Sequence, residues 1–236
     1  LYGMSNETYE SLCGVPAYST ILENIHALRD AGLNLRITMS LTGYNYQDMQ
    51  SVYEQAAALG VHTQAAAYMF PPTRITGRFG EADRLSPEQA AACEVSYMRL
   101  RMTPENFSEH AANYRDGIRE NPLEDCEGMP SAEMACRAGR TSFWVSWNGM
   151  LTPCGMMPTP SESLTEQCFA DAWGKLRTAV AQIRLPSECA ACVYRHACHA
   201  CAAMCYCETG HFDGKPEYVC KMTENKVKIV TADLEE

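Results

Sequence analysis

Residues 188–221 read ECAACVYRHACHACAAMCYCETGHFDGKPEYVCK and hold seven of the chain's thirteen cysteines: Cys189, Cys192, Cys198, Cys201, Cys205, Cys207 and Cys220. Two residues separate Cys189 from Cys192, five lead on to Cys198, two to Cys201 and three to Cys205. Thiolates at that spacing repel one another unless a cation holds them, so the stretch reads as a ligand cluster. Soft thiolates suit zinc and iron–sulfur clusters alike, and both accept four cysteines. Zinc ribbons usually set about fifteen to twenty residues between their Cys-x-x-Cys pairs. Here five residues lie between Cys192 and Cys198, which favours iron–sulfur.

Upstream, Cys136 is followed by Gly149 and then, after four residues, by Cys154. With the downstream run, this order resembles the SPASM domain, the auxiliary-cluster module of many radical S-adenosylmethionine (radical SAM) enzymes. Cys136, Gly149, Cys154, Cys189, Cys192, Cys198 and Cys220 fall into its register. The family's fourth knuckle cysteine would fall on Ala202. Cys201 comes one residue early and Cys205 three late, and either can take its place. The resemblance implies two auxiliary 4Fe-4S clusters: a distal one on Cys189, Cys192, Cys198 and Cys220, and a proximal one on Cys136, Cys154 and one of Cys201 or Cys205. The fourth proximal position falls to Cys126, to the remaining knuckle cysteine, or to no protein ligand. Anaerobic sulfatase maturases of this family carry Asp after the cysteine aligned with Cys154. Gly155 stands there, which disfavours that activity.

At 236 residues and 46% apolar content the chain can bury a core of one large or two small domains. An uneven, odd set of cysteines with no signal peptide speaks against a secreted disulfide scaffold and for a reducing cytoplasm. A formal charge of −10 offers no basic stripe for nucleic acid. No run of about 20 apolar residues is available to cross a membrane. The opening Leu1-Tyr2-Gly3-Met4-Ser5 reads like the middle of a longer chain.

Tyr18, Ile21, Leu22, Ile25 and Leu28 recur at helical spacing before Gly32, and Leu33, Leu35, Ile37, Met39 and Leu41 then alternate as a strand. Met49, Val52, Tyr53, Ala56 and Leu59 repeat the helix, and Val61–Phe70 the strand, stopped by Pro71 and Pro72. Two helix–strand units predict a parallel sheet with right-handed crossovers. Residues 73–84 read as a connector. Ser86-Pro87-Glu88-Gln89 is a capping box predicting one long helix to about Tyr114, and 115–135 read as loop. Phe143, Val145 and Trp147 alternate into Asn148-Gly149, which predicts a hairpin with a type I′ turn. Helices are expected at Phe169–Ile183 and Lys221–Leu234.

The first half, from Leu1 to Pro72, looks like the second half of a radical SAM partial barrel. The fold expected is therefore α/β: later strands of a partial TIM-like barrel over 1–115, then a small cysteine-rich α+β auxiliary iron–sulfur domain over 116–236. The family's Cys-x3-Cys-x2-Cys loop, which holds the cluster that cleaves S-adenosylmethionine, does not occur in these residues. The parent would carry that third 4Fe-4S cluster and S-adenosylmethionine, and the chain alone is expected to be inactive. Thr38, Ser40, Thr42 and Asn45 lie at a strand's C-terminal end, where α/β folds place ligands, and stand on the S-adenosylmethionine side. Turn chemistry accounts for Thr42 and Asn45 equally well.

The resemblance implies radical modification of a peptide or protein, with an electron donor such as a ferredoxin or flavodoxin, and no catalytic side chain emerges from these residues. The competing readings are a zinc-stabilised four-cysteine binding module and a stand-alone electron-transfer protein. Cys13, Cys93 and Cys168 read as packing thiols, Cys207 as a spare thiol near the cluster, and His196 and His199 as surroundings of the ligands.

Overall fold

The computed structural model describes residues 1–71, 83–118, 134, 136–232 and 234, with the helical backbone of 119 and 120. Cys126, most of the expected connector and most of the expected loop before Cys136 lie outside the described residues. The chain divides into two compact units, Leu1–Arg115 with Lys221–Glu236, and Asp116–Cys220. This differs from the expected division in one respect: the segment from Lys221 onward joins the first unit. It does so because the final helix carries a buried stripe of its own, Met222, Thr223, Lys226, Val227 and Val230, at the i, i+4, i+8 spacing of one helical face.

In the first unit, helices α1 (Asn6–Cys13) and α2 (Tyr18–Asp30) precede strand β1 (Arg36–Ser40). A 3-10 turn at Tyr46–Asp48 leads into α3 (Met49–Ala58), and strand β2 (His62–Ala66) follows. β1 and β2 pair in parallel with Arg36 opposite His62 and Ser40 opposite Ala66. Ile37 and Met39 are buried while Arg36 and Thr38 are exposed, the alternation of a sheet with one packed face. Met49, Val52 and Ala56 supply the buried stripe of α3.

The helix expected from Ser86 to Tyr114 is two helices, α4 (Pro87–Arg101) and α5 (Pro104–Glu120). The Ser86–Gln89 capping box forms as expected. The break has a local cause: Pro104 cannot donate an amide or tolerate the preceding turn, so it takes the first position of a new helix, with Thr103 Oγ1 accepting from the Asn106 amide at 3.3 Å. α5 then runs past Arg115 into the expected loop. Phe107, Ala111 and Tyr114 are its buried stripe.

In the second unit, strands β3 (Trp144–Val145), β4 (Met150–Thr152) and β5 (Glu162–Ser163) form an antiparallel sheet in that order. The hairpin turn is not type I′. Among the described residues no non-glycine has positive φ, so Asn148 does not adopt the left-handed conformation; only Gly149 does, at φ 77°. The Gly149 amide donates to Ser146 O and the Ser146 amide to Met150 O, which is a three-residue type I loop closed by a glycine bulge. Trp147 therefore sits in the loop, 89% exposed, instead of on the strand. Phe143 packs on Phe169 and Trp173 of helix α6 (Phe169–Val180), with ring centroids 5.1 and 5.6 Å away. Helix α7 (Ala202–Thr209) closes the cysteine-rich stretch, and α8 (Glu217–Ala232) begins before the expected Lys221. Among the described residues no helix is long and apolar enough to cross a membrane.

A charged group inside the first unit yields the first test. Lys226 of α8 is 4% exposed; its Nζ lies 3.4 Å from Glu94 Oε2 of α4 and 5.9 Å from the Tyr114 ring centre of α5. Lys226→Met is expected to lower stability by about 2 kcal/mol, below the roughly 3–5 kcal/mol of a fully buried pair, because Glu94 keeps part of its side chain in water. Denaturant unfolding followed by circular dichroism measures it. His110, whose ring centre lies 4.5 Å from that of Tyr114, is held below the ordinary imidazole range by burial and then by the Lys226 charge. The unfolded chain binds that proton more readily, so His110 costs stability as pH falls through about 6.5. The melting temperature should drop between pH 7.5 and 5.5 more steeply in the wild type than in His110→Gln.

Candidate metal centre

The cysteine-rich stretch builds its shape from turns. A 3-10 turn spans Ser187–Cys189, and the Arg195, Ala197 and Cys198 amides donate to Cys192 O, Tyr194 O and Arg195 O in succession. Ala197 is fully buried beneath them. The Ala200 amide donates to Cys198 Sγ at 3.4 Å, so a backbone donor already faces one sulfur. Cys201 caps the N-terminus of α7 in an extended conformation.

Every described cysteine is a free thiol. Their electrostatic neighbours sort them into two groups. Cys189 feels the thiolate charges of Cys198 and Cys192, and Cys220 those of Cys189 and Cys198. Cys201 instead feels Cys136 and Cys154. Cys205 is fully buried beside Cys189, Cys201, Cys220 and Cys198, and so touches both groups. Burial is the largest cause of each shift. It pushes Cys205 up to about 12, with the neighbouring thiolates adding to it. Cys220 rises to about 11, held back by the Lys215 charge, and Cys189 rises with Arg195 opposing. Cys201 is also raised, against the pull of the Met204 and Ala203 amides, although no closed hydrogen bond caps the helix there.

A cation would stabilise these sulfurs as thiolates and release their protons. Among the described residues no three His, Cys, Asp or Glu side chains converge tightly enough for a single metal ion. Tetrahedral zinc, with Zn–S bonds of about 2.3 Å, needs sulfurs about 3.8 Å apart. An all-thiol donor set of this kind has the chemistry that iron–sulfur clusters take.

Of the residues expected to contact S-adenosylmethionine, Thr38 is exposed on β1 and Ser40 ends that strand half-buried. Thr42 and Asn45 are buried and engaged with each other: Asn45 Oδ1 accepts from the Thr42 amide at 2.7 Å and from Thr42 Oγ1 at 3.1 Å. Asn45 Nδ2 donates to Tyr2 O and Ser40 O, both at 2.9 Å. The amide is fully used in holding the turn after β1.

Cys207 was expected to be a spare thiol near the cluster. It lies in the Cys154 and Cys201 neighbourhood, and its thiol donates to Met156 O at 3.4 Å. The signal available was its place on the same short helix as Cys205. At Gly117 a Cβ would lie 2.6 Å from Cδ2 of the exposed His196 ring, so a side chain there requires that ring to shift.

No family model matches the chain. It is 24% identical to the AdoMet-dependent heme synthase of Methanosarcina barkeri, over 89% of this chain and 63% of that protein. The enzymes of the same name from Nitratidesulfovibrio vulgaris and Oleidesulfovibrio alaskensis are 22% and 24% identical, over 88% of this chain and 60% and 56% of theirs. The chain thus spans about three fifths of the length of these curated relatives. The relatives are named for a dependence on S-adenosylmethionine (AdoMet).

Glycine to alanine inside a helix normally stabilises by about 1 kcal/mol. Gly117→Ala is expected to do the reverse and lower the melting temperature, because the new methyl displaces His196. A melting temperature at or above the wild-type value would show that His196 moves aside freely.

Proposed function

We propose that this chain belongs to a radical SAM enzyme whose cysteine unit holds two auxiliary 4Fe-4S clusters. The observation that carries this reading is the sorting of thiols within Asp116–Cys220: Cys189, Cys192, Cys198 and Cys220 on one side, Cys136, Cys154 and Cys201 on the other. It favours Cys201 over Cys205 as the knuckle's proximal ligand, since Cys201 is the one that feels Cys136 and Cys154. When bound, such clusters supply one-electron transfer or an iron site for substrate. The protein's own contribution is a sulfur array moderated by the Arg195 and Lys215 charges beside Cys189 and Cys220.

In the first unit, contact with S-adenosylmethionine would rest on Thr38 and Ser40, while Thr42 and Asn45 hold the turn beneath it. The names of the relatives make heme formation the first activity to assay. The cysteine register favours a second substrate class, a peptide or protein residue modified after hydrogen abstraction. Either activity needs a one-electron donor such as a ferredoxin or flavodoxin and a reducing cytoplasm.

Metal analysis of the anaerobically reconstituted protein tests the cluster reading. About eight iron and eight sulfide per cysteine unit, with a broad visible absorption that bleaches on reduction, is the expected result. About two zinc, no sulfide and no colour would overturn it in favour of a structural four-cysteine module. For the substrate, the full-length protein with S-adenosylmethionine and a reductant should either form heme or change the mass of a precursor peptide encoded beside it. Cluster reduction without consumption of S-adenosylmethionine would leave electron transfer as the function.

A further inference from the structure

Helix α7 carries two cysteines beyond its cap, Cys205 and Cys207, that the expected ligand pattern leaves without a defined place. Two residues on an α-helix are about 200° apart around its axis, so their sulfurs leave the helix on opposite sides. The neighbours agree with that geometry. Cys205 feels Cys189, Cys220 and Cys198, and also Cys201 at the start of the helix. Cys207 meets the turn that carries Cys154: its Sγ lies 3.4 Å from Met156 O, inside a turn closed by the Met157 amide on Cys154 O at 3.2 Å. The cysteines whose charge raises Cys207 are Cys154 and Cys201, and Cys201 in turn feels Cys136.

We propose that Cys207 is the fourth protein ligand of the proximal cluster, completing Cys136, Cys154 and Cys201. The inference rests on the cysteine unit being an iron–sulfur domain. Ligation replaces the thiol proton, now directed at Met156 O, with iron, and that proton leaves to solvent. The cluster would then have four thiolates and no open iron, which directs its role to electron transfer and away from binding substrate.

The test compares full-length wild type, Cys207→Ala and Cys126→Ala after anaerobic reconstitution, by iron and sulfide content, by electron paramagnetic resonance of the reduced samples, and by mass-spectrometric alkylation of thiols. Loss of one cluster's spectrum, or of about half the auxiliary iron, in Cys207→Ala but not in Cys126→Ala is expected. In the wild-type holoprotein Cys207 should resist alkylation until the iron is chelated, while the exposed Cys13 reacts throughout. Alkylation needs no variant, so it decides the matter even where Cys207→Ala fails to fold. Cys207 reacting as readily as Cys13 in the holoprotein, or an unchanged spectrum in Cys207→Ala with loss in Cys126→Ala, overturns the assignment. A wild type that takes up no iron or sulfide removes the iron–sulfur reading itself, an outcome distinct from a loaded protein with a reactive Cys207.

Discussion

The dominant constraint on this protein is the cost of burying thiolate charge, to which the neighbouring thiolates add. Charges a few ångströms apart in a weakly screened interior cost more than any surface pair returns. The cysteine unit without a cation therefore meets the constraint by protonation, with Cys205 and Cys220 pushed to about 12 and 11. Arg195 and Lys215 oppose that rise at Cys189 and Cys220 but do not reverse it. Positive metal charge reverses the balance, because a thiolate bound to iron is stabilised where a bare one is not. Metal bound by these sulfurs would link the folding of this unit to its metal content.

Little regular structure surrounds the cysteines. Turns at 187–198 spend their amides on nearby carbonyls and, at Ala200, on a sulfur. The firm scaffold comes from elsewhere: the β3–β4 hairpin packed on α6 through Phe143, Phe169 and Trp173, and close backbone approaches at Gly117 and Gly139. An added Cβ on Gly139 would meet Val180 of α6 at 2.5 Å. Both glycines let a helix and a loop approach more closely than a side chain allows. The first unit is ordinary by contrast, a parallel β1–α3–β2 arrangement whose buried Asn45 uses all four hydrogen-bonding positions on the turn after β1.

Likeness to the AdoMet-dependent heme synthases extends over about nine tenths of the chain, so it covers both units together. At 22–24% identity it speaks to the class of chemistry more than to the substrate.

The sequence by itself determined the ligand-rich stretch, the helix–strand alternation of the first half and the capping box at Ser86, because each is written in local spacing. Local spacing also misled. Asn148-Gly149 fits a type I′ turn, but the strands it joins accept a three-residue loop with a glycine bulge, and Pro104 divides a helix whose apolar period runs straight across it. Which cysteines are electrostatic neighbours depends on tertiary structure. Cys201 feels Cys136 and Cys154 across a long stretch of intervening chain, and α7 turns Cys205 and Cys207 to different sides, with Cys201 a neighbour of both. Spacing names the donors, but only the folded backbone brings distant ones within reach of a common charge.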